Sequence, residues 1–220
     1  MKVADRYDAV IIAGDLLDIA GTLPLGNQIL IISKYLERIS QKRSLLVCSG
    51  NHDGDSVNLQ NEYIATWLTQ VRGDRLYVDG QSLEIGTQRM TILPWWDGPE
   101  TRQKMEEFLE RESRCVRGPW AWLHHAPPNG SPISWTGKKD AGDPNLNRLI
   151  AQYRPTYVFC GHIHLSPFRS GGSWYDRLGD TWVFNPGKQI GEIPTYIIID
   201  LTENRATWVS MDDTDSISLA

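Results

Sequence analysis

The chain has 220 residues, 40% of them apolar and 22% charged, with a formal net charge of −5. That length can bury a sizeable core, most simply as one α/β domain over residues 1–211 followed by a mobile acidic tail over 212–220. No stretch approaches the roughly 18 apolar residues of a membrane span, no signal-peptide core follows Met1, and the acidic balance argues against a nucleic-acid-binding face.

Residues 8–13 (DAVIIA) read as a fully buried strand, short and β-branched. Over residues 26–40, Ile29, Ile32, Leu36 and Ile39 recur at a helical spacing, with Glu37 and Arg38 on the other side. Residues 45–48 form a second buried strand, and 58–70 read as a helix. Residues 75–78, 83–85 and 89–93 look like antiparallel strands joined by glycine-containing turns. A charged helix over 101–113 turns Met105, Phe108 and Leu109 inward. Residues 120–125 form a strand, and Asp143-Pro144 marks a helix start, with Asp as N-cap and Pro in the first turn. Strands follow at 156–160, 181–184, 195–201 and 206–209. Alternating strands and helices with late hairpin-like strands suggest a mixed sheet sandwich with helices outside. Cys48 and Cys160 fall in apolar strands and read as buried reduced thiols, consistent with a cytoplasmic protein.

Four short blocks stand where these apolar runs stop. They are Gly14-Asp15-Leu16-Leu17-Asp18, Gly50-Asn51-His52-Asp53, His124-His125-Ala126-Pro127-Pro128 and Gly161-His162-Ile163-His164. Loops at strand ends can converge on one point although far apart in sequence. Asp15 offers two oxygens that can bridge cations, Asn51 a neutral carbonyl oxygen, and His162, His164 and one of His124 and His125 a ring nitrogen each. This mixture suits divalent Mn, Fe, Co, Ni or Zn. Any one block alone would read as a turn or a satisfied core polar group; four in this order read as a metal site.

The series resembles the calcineurin-like metallophosphoesterases, whose motifs run D-x-H, G-D-x-x-D, G-N-H-[DE], a single His, then G-H-x-H. The resemblance implies a four-layer α-β-β-α sandwich of two mixed sheets and a binuclear site that activates water for attack on phosphorus. Carried over by motif, Asp15 would bridge the metals. Asn51, His162 and the third-block histidine would bind one of them, and His164 the other. His52 would hydrogen-bond the phosphate and protonate the departing oxygen, with Asp53 orienting its ring. The family's H-x-P-P-x-G register selects His125 over His124, which alternation then puts on the opposite face.

The opening D-x-H is missing, since no histidine precedes His52. Residues 1–7 read as the end of a helix, so a first strand and most of a helix are absent. Three readings are open: a truncated reading of a longer protein with Met1 internal, a short form whose second metal site is impaired, or a catalytically dead scaffold that binds metal or phosphate. The leading expectation is hydrolysis of a small phosphodiester or nucleotide by metal-activated water, with a DNA-processing nuclease of the same superfamily as a rival. Around the site, Trp95 and Trp96 offer an indole for stacking or simply core packing. Lys138 and Lys139 could meet a phosphate or stay solvated, and Asn185-Pro186-Gly187 resembles a turn that closes the site in small family members.

Overall fold

In the computed structural model, which describes residues 7–220, the run that opens the chain becomes β1 (Ala9–Ala13). It leads through α1 (Leu25–Ser40) to β2 (Ser44–Cys48). The two strands are parallel, in register from Ala9↔Ser44 to Ala13↔Cys48, and parallel strands need such a crossover. That register makes both strands finish at the same level, so Gly14-Asp15 and Ser49-Gly50 emerge side by side. The expected helix end over residues 1–7 lies, except for Tyr7, outside the described residues.

The chain divides into two units, one ending at His125 and the other beginning at Ala126. In the first, Leu17, Leu36, Leu45, Val47, Trp67, Leu68 and Val78 form a buried cluster, with Ile29, Ile32 and Ile39 of α1 partly buried against it. β1 is half-exposed along its length, not fully buried as its composition suggests. It stands at the end of its three-stranded sheet with β2 as its neighbour, so one edge has no partner among the described residues.

Two expectations fail in the next stretch. The helix expected over 58–70 is confined to α2 (Thr66–Gln70). Before it, β3 (Ser56–Val57) and β4 (Tyr63–Ile64) pair as a hairpin. Turn chemistry overrides the helical reading there, because the Asn58 side chain accepts from Gln60 and Glu62 N–H at 2.9 Å each and Asn61 takes φ +61°. β5 (Leu76–Tyr77) then runs parallel to β2 rather than joining an antiparallel meander. β6 (Ser82–Ile85) and β7 (Gln88–Ile92) are antiparallel as expected. α3 (Pro99–Ser113) carries the chain to β8 (Trp120–Leu123), parallel to β7 and in register up to Ile92↔Leu123. Trp95 and His125 therefore also leave neighbouring strand ends.

In the second unit, α4 (Pro144–Tyr153) starts where expected, its Asp143 cap accepting from Asn145 N–H at 2.7 Å. β9 (Tyr157–Phe159), β10 (Tyr175–Leu178) and β11 (Thr181–Phe184) come next. β11 runs parallel to β9 and antiparallel to β10, so the sheet is mixed. The chain closes with an antiparallel meander, β12 (Tyr196–Asp200), β13 (Arg205–Val209) and β14 (Thr214–Ser218). The last strand replaces the expected mobile tail. Ser210 makes the return possible, because its hydroxyl accepts from Asp213 N–H at 2.9 Å while its own N–H bonds Asp213 O at 2.9 Å. Cys48 and Cys160 are buried and in no disulfide among the described residues, and burial pushes the Cys160 thiol pKa up. No helix among the described residues is long and apolar enough to cross a membrane.

Candidate metal centre

Leaving β1, the backbone turns left-handed for two residues, Gly14 at φ +82° and Asp15 at φ +55°. Glycine takes that conformation freely, but an L-residue pays roughly 1–2 kcal/mol. The compensation comes from Asp53. Its Oδ2 accepts from Asp15 and Gly50 N–H at 2.8 Å each, and its Oδ1 accepts from Leu16 at 2.8 Å and Leu17 at 3.0 Å. Asp53 is wholly buried. Burial lifts its pKa above the usual carboxylate range although the N–H groups of Gly50, Leu17 and Leu16 pull it down. Both oxygens are thus committed to backbone. The expectation that Asp53 orients the His52 ring is corrected: it holds the loop that carries Asp15.

With its backbone so held, Asp15 presents its carboxylate to two imidazoles. Oδ1 accepts from His52 N–H at 3.1 Å, and Oδ2 lies 3.2 Å from His125 Nε2 and 3.8 Å from His52 Nδ1. Burial raises the Asp15 pKa, but the bond and charge of His125, then those of His52, outweigh it and leave the pKa at about 2. Asp15 is therefore ionised at neutral pH.

The other His125 nitrogen, Nδ1, lies 2.5 Å from Ala13 O, where it must donate. Nε2 then faces a carboxylate oxygen 3.2 Å away, and carries either the proton of the charged ring that lowers the Asp15 pKa or, in the neutral ring, an electron pair. Two electron pairs at that distance need a proton or a metal cation between them, and a buried histidine with its far N–H on a carbonyl is a good metal ligand. The residues fit a divalent cation. Space around them is fixed, since a Cβ on Gly14 would meet His125 Nδ1 at 2.6 Å and Gly50 N at 2.7 Å. A Cβ on Gly50 would press on the Asp15 carboxylate.

His124 faces elsewhere, stacked on Trp96 at 4.0 Å between centroids and 12° between planes. Both rings are buried, which makes Trp96 the core tryptophan of the pair. Trp95 is half-exposed and meets His125 edge-on at 5.8 Å. Asn51 is exposed on the turn between Gly50 and His52. Lys138 and Lys139 are exposed on a turn closed by Thr136 N–H to Lys139 O at 3.0 Å.

In the second unit, His162 and His164 stand beyond β9 on a tight turn, His162 at φ +64° and half-buried, His164 exposed. Sequence reasoning missed what holds this turn. Asn185, wholly buried, donates from Nδ2 to Ile163 O at 2.9 Å and Ile133 O at 3.1 Å, and its Oδ1 accepts from Gly187 N–H at 2.9 Å. The Asn185-Pro186-Gly187 turn was visible in the sequence, its partners were not. His164 O in turn accepts from Lys188 N–H at 2.9 Å. So the first unit gathers Asp15, His52, Asp53 and His125 with Asn51 on the adjoining turn, and the second sets His162 and His164 on one turn.

A model of the calcineurin-like phosphoesterase family matches residues 2–166, most of the chain. Among solved structures, the crystal structure of TT1561 of Thermus thermophilus superposes with a TM-score of 0.59 at 16% identity, covering 100% of this chain and 90% of that one. A second solved structure gives 0.55 at 14% identity, with 98% and 89% covered. At those identities the likeness is one of fold, the mixed α/β sandwich. No curated protein matches the chain.

Proposed function

The chain belongs to the calcineurin-like phosphoesterase family, and on that premise we propose that it hydrolyses a small phosphodiester or nucleotide at a divalent metal centre. The observation that carries this reading is the Asp15–His125 pair, with its facing electron pairs and its Nδ1–H tied to Ala13. Within the first unit Asp15, Asn51 and His125 would hold a divalent cation; His162 and His164 are the further ligands that the family motif implies. The donor set suits Mn, Fe, Zn, Co or Ni, and manganese serves as the probe below. A bound cation supplies Lewis acidity and a water of lowered pKa.

The chain's own residues do the rest. His52 has a ring about one-third exposed, with its backbone N–H fixed to Asp15. It is free at its solvent side to hydrogen-bond a phosphoryl oxygen and pass a proton to the departing one. Asp53 keeps the Asp15 loop in its left-handed form before substrate arrives, so no reorganisation is left for the reaction. The exposed part of the Trp95 indole, beside His125, suits a planar leaving group such as a base or an aryl ring. That contact favours a nucleotide or aryl phosphodiester over a phosphorylated protein.

The test is manganese-dependent hydrolysis of bis(4-nitrophenyl) phosphate by the wild type and Asp15→Asn. Loss of an outer partner of a metal ligand costs about 10–100-fold, so loss of Asp15 is expected to cost at least about 100-fold. Equal rates in both would refute the assignment. Absence of turnover in both, with manganese still bound, would favour a scaffold that binds metal or phosphate without hydrolysis.

A further inference from the structure

Three carboxyl groups serve the turn that carries Asn51 and His52. Ser49 N–H donates to Asp79 Oδ1 at 2.9 Å, Gly50 N–H to Asp53 Oδ2 at 2.8 Å and His52 N–H to Asp15 Oδ1 at 3.1 Å. Asp15 and Asp53 belong to the motif blocks. Asp79 does not. It comes from the turn between β5 and β6, which is pinned by Gly80 N–H to Ile92 O at 2.9 Å and by Val78 N–H to Gln81 Oε1 at 2.8 Å.

Its partner Ser49 is buried at 2% exposure. The Ser49 hydroxyl bonds the Asp79 carboxyl and accepts from Trp95 N–H at 2.9 Å. One serine therefore ties together the ends of β2 and β7 and the turn after β5. Ser49 is also the residue at which the β1–β2 ladder has run out, Cys48 being the last paired residue. Without Asp79 its N–H would be buried with no sheet partner.

We propose that Asp79 is a positioning residue of the phosphoester site: through Ser49 it fixes the turn that presents Asn51 and His52, and the backbone of Trp95. This rests on the phosphoesterase reading above. The role suits the group's chemistry. Burial raises the Asp79 pKa to about 7, the two Ser49 bonds pulling down and the Asp53 charge on the facing turn pushing further up. Around neutral pH the carboxyl therefore exchanges a proton while its carbonyl oxygen goes on accepting from Ser49. When it ionises, a second negative charge faces Asp53 across adjacent N–H groups of the same turn.

The experiment compares the wild type, Asp79→Ala and Asp79→Asn in two readouts. One is kcat and KM for manganese-dependent hydrolysis of bis(4-nitrophenyl) phosphate from pH 5 to 9. The other is amide hydrogen exchange in peptides spanning residues 45–53. Asp79→Ala is expected to lower kcat about tenfold, the small end for an outer partner, with KM within about twofold, and to speed exchange at Ser49. Asp79→Asn keeps an acceptor for Ser49, so it is expected to restore kcat below pH 6 and to abolish the inflection near pH 7. Wild-type kcat and profile in Asp79→Ala would overturn the proposal. So would equal losses in both variants at every pH, which mark mere loss of stability. If Asp79→Ala does not fold, the pH profile of Asp79→Asn decides. If the wild type itself shows no turnover, the phosphoesterase reading has failed, and unchanged exchange in the variants would overturn the Asp79 clamp separately.

Discussion

The turn at Asp15 and the turn at His162 solve one problem with opposite chemistry. Each comes after a strand and a glycine, and each forces a non-glycine residue left-handed, at φ +55° and +64°. Each is then held by one fully buried polar side chain from a distant loop. At Asp15 the backbone groups that need a partner are N–H donors, three on that turn and Gly50 N–H beside it, and the clamp is a carboxylate, which only accepts. At His162 they are mainly carbonyls, Ile163 O and Ile133 O, and the clamp is an amide whose NH₂ donates while its oxygen takes Gly187 N–H. The polarity of the turn dictates the clamp, so Asp53 and Asn185 are not exchangeable although isosteric.

Exchanging them is the strongest way to break the comparison. Asp53→Asn puts an NH₂ against two N–H donors, and Asp53→Ala leaves four donors without an acceptor. At ~1–3 kcal/mol for each buried unsatisfied group, the alanine variant loses about 4 kcal/mol or more, much of a typical domain's stability. It is expected to lose cooperative urea unfolding, with the asparagine variant close behind. Asn185→Asp turns a donor into an acceptor facing two carbonyls in a buried site, at about 3 kcal/mol. A midpoint unchanged from wild type in either reciprocal variant would show that the clamps are not selected by turn polarity.

Gly187→Ala tests the second turn from its other side. Gly187 sits at φ +69°, and a Cβ there would meet Pro167 Cδ at 2.7 Å and His164 O at 2.8 Å. The loss should be about 2 kcal/mol, from strain and displaced backbone together. It should fall on His164 rather than Asp15, so that, on the two-metal reading, a manganese titration would show the second binding event weakened before the first. Equal weakening of both would blur the distinction between the turns.

These clamps also mark where the sequence stopped being legible. Gly14-Asp15 and Gly161-His162 could be read because apolar β-branched runs break at a glycine, and the strands are where those runs put them. What Asp53 does could not be read, because a carboxylate beside His52 in sequence has no local signal that its partners are the backbone of Asp15, Leu16 and Leu17. The same holds for Ser49 and Asp79, whose bond spans 30 residues and whose Asp79-Gly80 pair signals only a turn. Local misreadings had local causes: Asn58 and Asn61 built a hairpin inside the stretch read as a helix, and β1, with one edge unpartnered among the described residues, is half-exposed despite its composition.

Protonation separates the carboxyls of the first turn in the metal-free protein. Asp15, at about 2 in the fold, lies below its unfolded value, so its contribution is present above about pH 4 and is lost as pH falls towards 2. Asp79, at about 7, lies above its unfolded value of about 3.9. Its contribution is full below about pH 4 and is lost as pH rises to about 7, beyond which it is flat. Asp79→Asn should therefore gain on the wild type across that window, by about 3 kcal/mol at pH 7.5 relative to pH 4.5. Parallel melting curves for the two proteins at both pH values would mean that Asp79 is ionised throughout.

The smallest effect sharpens the assignment of the adjacent histidines. His124→Phe keeps a flat ring on Trp96 and, as a volume-conserving change in a packed layer, should cost less than about 1.5 kcal/mol. It leaves the His125 contacts with Asp15 and Ala13 in place, so manganese affinity is expected to stay within about threefold of wild type. His125→Phe removes the nitrogen facing Asp15 and the bond to Ala13 O together, and should lower affinity by at least about 100-fold. The contrast depends only on which face of the strand end each ring occupies. Strong metal loss in His124→Phe with retention in His125→Phe would reverse the register, and with it the link from β8 to the Asp15 turn.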